Sequence, residues 1–121
     1  MKKIITCIAF VIVIANMMSC AYNNEEELYP EMCDTTNVTY QAVILPIVTQ
    51  KCYECHAGNP PSSGIDLEGH ANLKAKADAG ILVGVIRHLP GFSPMPKDRG
   101  FLPECEMLKI EKWVSLGSPD N

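Results

Sequence analysis

The sequence predicts a small all-α domain, and three observations predict it. Apolar residues recur at helical spacing in several short stretches, no stretch alternates apolar and polar as a half-buried strand would, and proline-rich loops separate the helical pieces. The 121 residues leave room for one such domain.

Three segments are expected. Residues 1–19 begin with Lys2 and Lys3 and continue into an apolar run from Ile4 to Ala15, too short to span a bilayer comfortably, so they read as a signal peptide. A membrane-spanning N-terminal anchor is the alternative. Ser19 before Cys20 resembles the lipobox of bacterial lipoproteins, although Met17 departs from the leucine usual at that place. Cys20 is then the acylated first residue of the exported chain, each buried methylene contributing about 0.8 kcal/mol to a lipid anchor. Residues 20–32 are acidic and aperiodic, as in a flexible tether. Glu25, Glu26 and Glu27 within it resemble a surface-export tag, or serve only to keep the linker solvated. The domain proper is expected over 33–121.

Loss of Lys2 and Lys3 from the 10 basic side chains leaves 8 against 14 acidic ones, a net charge of −6. That sign argues against nucleic acid as a partner, because phosphates require the opposite one.

Within the domain, Thr39 can cap a helix carrying Val43, Ile44, Ile47 and Val48 on one side, with a kink or a new start at Pro46. This helix runs into Cys52. The stretch "AGNPPSSG" is a loop by composition, and Asp66 or Gly69 can start a helix that ends before Gly80. "GILVGVIRHL" reads as a buried helical piece stopped by Pro90, and "PGFSPMPKDRGFLP" as a long loop of the kind that usually carries function. The closing helix follows Pro103, places Glu104 and Glu106 at its positive end, sets Met107, Ile110, Trp113 and Val114 on one face, and stops at Gly117. So small a domain, with few large aromatics and much loop, needs something other than side chains at its centre.

"KCYECHAG", residues Lys51 to Gly58, supplies a candidate. A redox dithiol needs its C-x-x-C at a helix start within a strand-helix-strand unit, whereas this one follows a helix. A closed zinc site needs a second pair at similar spacing, and only Cys33 and Cys105 remain, one near each end. C-x-x-C-H is the attachment signature of c-type haem: Cys52 and Cys55 bond the macrocycle as thioethers and His56 is directed beneath the iron. Such attachment takes place outside the cytoplasmic membrane, where the signal peptide directs the chain.

From Cys33 to Asn121 the chain resembles class I c-type cytochromes of the kind carried on bacterial lipoproteins. The resemblance rests on a helix entering "CYECH", a "SGIDL" turn, a methionine in "SPMP" and a closing "IEKWVSLGSP" helix. It implies a small cytochrome c-like fold wrapped around haem c, with iron between His56 and a methionine, and electron transfer without catalysis. Met95 is the candidate sixth ligand, in a loop stiffened by Pro94 and Pro96. Its rivals have plainer readings: His88 as a charge at a helix end, His70 as a solvent-facing side chain, Met107 as core and Met32 as part of the tether. The resemblance also suggests a carbonyl in the Asn59–Pro60–Pro61 loop as the partner of His56. Arg87, Lys97, Arg99 and Lys74 are candidate propionate donors. Cys33 and Cys105, left over in an oxidising compartment, are expected to pair, with two free thiols as the alternative.

The resulting expectation is a lipid-anchored carrier of single electrons in the periplasm or at the cell envelope, meeting redox proteins transiently. The competing class is a haem peroxidase or gas sensor with an open sixth position, in which Arg87 and His88 would act as distal groups.

Overall fold

The structure, a computed structural model, describes residues 33–121. The signal segment, Cys20, Met32 and the tether expected over residues 1–32 lie outside the described residues. Those described are helical and loop-forming, with no strand among them. None of their helices is long and apolar enough to cross a membrane.

The chain enters through a π-helical turn, Tyr40–Ile44, capped by Thr39, whose side chain accepts from Ala42 N. Helix α1, Leu45–Lys51, continues directly from it. The expected disturbance at Pro46 takes the form of this wide turn. Ile44 N donates to Thr39 O and Leu45 N to Tyr40 O, five residues back, just before a proline that has no N–H to keep the α register. The chain breaks at Cys52 (φ −120°) and forms a single turn, α2, Tyr53–His56.

After a loop come α3, His70–Asp78, and α4, Ile81–Ile86, joined at Gly80, whose φ of 71° suits a residue without Cβ. Helix α4 ends at Ile86, four residues before Pro90 and with Arg87 as its C-cap, earlier than the sequence suggests. Residues 90–103 carry no regular structure. Helix α5, Glu104–Ser115, closes in a Schellman motif: Gly117 N bonds Val114 O at 2.9 Å and Ser118 N bonds Trp113 O at 3.0 Å, with Gly117 at φ 86°.

One core holds these pieces together. Ile44, Val48, Leu73, Ile110 and Trp113 are fully enclosed, and Met107 lies with them as the helical period requires. The Trp113 ring stacks on Tyr40 at 5.8 Å, and its Nε1 donates to Pro119 O at 2.9 Å. His70 departs from its expected solvent-facing place. Its side chain is only 19% exposed, packs edge-on against Tyr40 (4.8 Å) and Trp113 (6.0 Å), and bonds Ser118 O through Nε2 at 2.9 Å. The entry turn, α3 and the end of α5 are thereby joined at one aromatic knot. Cys33 and Cys105 are bonded, with Cα atoms 5.4 Å apart, linking the start of the domain to the first turn of α5.

Candidate functional site

The C-x-x-C-H segment forms one helical turn because Cys52 O accepts from both Cys55 N (3.2 Å) and His56 N (3.0 Å). The carbonyls that such a turn leaves unpaired at its end are taken by the loop that wraps back over it. Ser63 N and Ser62 Oγ donate to Cys55 O, and Leu67 N donates to His56 O at 2.8 Å. That wrapping loop also fixes the histidine ring.

His56 Nδ1 lies 3.0 Å from Ile65 O and 2.9 Å from Ser63 Oγ, while Ser63 Oγ donates to Ile65 O and accepts from Ile65 N, each at 3.2 Å. A carbonyl oxygen can only accept, so Nδ1 must carry the proton; the other tautomer would set two lone pairs face to face. In the neutral ring Nε2 then keeps its lone pair, and it has no hydrogen-bond partner among the described residues. The backbone partner is Ile65, in the "SGIDL" turn, and not a carbonyl of Asn59–Pro60–Pro61.

Cys52 and Cys55 are not bonded to each other. Cys52 is partly covered, and burial, reinforced by the charge of Glu106, pushes its thiol up to about 11 from an ordinary 9.0. A thiol held protonated in this way is a poor nucleophile at neutral pH, the reverse of a redox-active dithiol. The Oε2 atom of Glu106 is buried without a hydrogen-bond partner, and its Oε1 pairs with Lys51 at 3.5 Å. With Cys33 and Cys105 committed to each other, no further thiol of the described residues remains to complete a zinc site. Among those residues no three His, Cys, Asp or Glu side chains are grouped to hold a metal ion.

Met95 is half-buried and lines a surface depression with Ser93, Pro94, Lys97 and Asp98. Its backbone is held at both polar groups: N donates to Val85 O at 2.9 Å, and O lies 3.1 Å from His88 Nε2. The methionine loop returns to the cysteine turn through Arg99, which pairs with Glu54 at 2.9 Å. Ile65, whose carbonyl meets His56, and Leu89, Phe92 and Phe101, within or beside the methionine loop in the chain, are large apolar side chains left 45%, 44%, 37% and 61% exposed.

Of the candidate propionate donors, Arg87 is committed elsewhere. Its Nε and Nη2 grip Glu111 at 2.6 and 2.9 Å and its Nη1 reaches both oxygens of Glu104, which raises its already high pKa further. Lys74 is likewise held by Asp78 (2.9 Å) and Gly117 O (2.8 Å), and Arg99 by Glu54. Lys97 makes no ion pair among the described residues. Sequence reasoning missed Ser63 and the loop-holding part of His88. Serine in a turn signals only local bonding, and a histidine near a helix end suggests only a charge.

The site thus offers two unpaired thiols on one turn, an imidazole nitrogen without a hydrogen-bond partner among the described residues, and a thioether in a loop joined to that turn by the Arg99–Glu54 pair. Compared with protein-family models, with curated proteins and with solved structures, the chain matches none.

Proposed function

We propose that residues 33–121 form a monohaem c-type cytochrome that carries single electrons between transient protein partners, anchored by lipid at Cys20 on the periplasmic side of the cell envelope. The observation that supports this best is the state of His56. Its Nδ1–H is taken up by Ile65 O and Ser63 Oγ, and its Nε2 is left available one position beyond an unpaired C-x-x-C. A metal-ligating histidine needs its other ring N–H held by an acceptor in this way.

The donor set fits haem c. Cys52 and Cys55 would hold it as thioethers, His56 Nε2 and the Met95 sulfur would ligate its iron, and the exposed apolar side chains Ile65, Leu89, Phe92 and Phe101 would offer it apolar surface. Bound haem supplies a one-electron iron couple, raised in potential by a thioether ligand relative to a second histidine. The chain's own tasks are to orient the imidazole, to hold the methionine loop against the attachment turn and to keep water from the apolar faces. The peroxidase or gas-sensor reading is weaker because both distal candidates are occupied, Arg87 by Glu104 and Glu111 and His88 by Met95 O.

An absorption spectrum of denatured, reduced protein in pyridine tests the attachment. A haem bonded through two thioethers is expected, and exported protein without haem mass would overturn the reading. In the folded ferric protein, a weak near-infrared charge-transfer band is expected from the methionine–iron bond and should vanish in Met95→Ala.

A further inference from the structure

We infer that His88 is a positioning residue for Met95, setting how firmly the methionine is presented as a ligand; this rests on the cytochrome reading above. His88 lies outside helix α4 in the left-handed region, at φ 51°, a conformation unfavourable for a residue that carries a side chain. Its Nε2 reaches Met95 O at 3.1 Å and, since a carbonyl only accepts, must carry the proton.

On its flat side the ring stacks against Phe101 at 4.0 Å with an interplanar angle of 22°, so the donor cannot swing away freely. Met95 N is held by Val85 O, three residues before His88. Both polar groups of the Met95 backbone are therefore fastened to the same short stretch, Val85–His88, one through the main chain and one through a side chain. That stretch is itself anchored to α5 by the four contacts of Arg87 with Glu104 and Glu111. The Met95 sulfur has three rotatable bonds, and an unpinned backbone would add to its freedom to leave.

The test uses haem-loaded protein and compares His88→Phe, which keeps a ring against Phe101 but has no donor, with His88→Gln, which keeps an N–H donor. His88→Ala takes the place of the phenylalanine variant should that one not fold. Displacement of methionine is read by titrating the ferric protein with imidazole, and local opening by hydrogen exchange at the Met95 amide. Loss of one ordinary hydrogen bond should tighten imidazole binding by up to about tenfold and speed that exchange comparably, with His88→Gln closer to the unaltered protein. Unchanged imidazole affinity and Met95 exchange in the donor-less variant would overturn the role of His88 alone. Absence of the near-infrared band from the unaltered protein would instead remove methionine ligation, and the inference with it.

Discussion

The Nδ1 atom of His56 and the carbonyl oxygen of Ile65 lie 3.0 Å apart, nine residues distant in the chain, and this contact determines which ring nitrogen faces outward. Ser63 completes the arrangement with one hydroxyl that accepts from His56 Nδ1 and Ile65 N and donates to Ile65 O. Ser63→Ala removes all three contacts while the Ile65 carbonyl remains. The expected cost is about 1–2 kcal/mol in a denaturant titration, with the histidine tautomer retained in nitrogen-15 spectra. Loss of the Nδ1 proton in that variant would show that the hydroxyl, not the carbonyl, sets the tautomer.

Gly84 is required by close approach and not by backbone conformation. A Cβ there would stand 2.6 Å from two atoms of the Phe92 ring and 2.7 Å from a third. Gly84→Ala, although favourable for helix propensity, should destabilise the domain by about 1–3 kcal/mol through this overlap and displace the loop leading to Met95. A double-mutant cycle with Phe92→Ala checks the cause: the alanine at 84 should cost much less once the ring is gone.

Arg87 joins the end of α4 to α5 with a forked geometry that a lysine cannot reproduce. Its side chain is 23% exposed, and Glu104 and Glu111 are 49% and 30% exposed, so solvent screens part of the attraction. Arg87→Met should cost about 1–2 kcal/mol and Arg87→Lys nearly as much, as measured by chemical denaturation. The difference from the unaltered protein should shrink in high salt.

Cys52 gives a pH dependence whose sign separates thiol from thioether. In protein lacking the thioether, an unfolded thiol ionises near 9.0 while the folded one stays protonated to about 11. The folded state thus binds the extra proton in that interval, and stability is full below pH 9 and falls as the pH rises toward 11. The loss is about 3 kcal/mol in all. Glu106→Gln should reduce it, because that charge adds to the effect of burial. Once the sulfur is a thioether there is no proton to lose, and this part of the alkaline decline should be missing. Thermal melts from pH 8 to 11 on haem-free and haem-loaded protein check both statements.

Local features of the chain were legible in its sequence because local sterics and spacing produce them. Pro46 disturbs the first helix, Gly80 and Gly117 end helices, the period of Met107, Ile110 and Trp113 selects the buried face of α5, and C-x-x-C-H falls on a single turn. The helical class followed from these alone. Which distant groups meet was decided by the tertiary structure. Ile65, not the 59–61 loop, offers His56 its carbonyl; Arg87 is drawn to two glutamates; His70 is enclosed between Tyr40 and Trp113; and His88 turns back onto Met95. Polar side chains carry no periodic signal. Their partners depend on how loops close over neighbouring helices, a matter of packing the whole chain at once, whereas a helix or a turn needs agreement only among residues a few places apart.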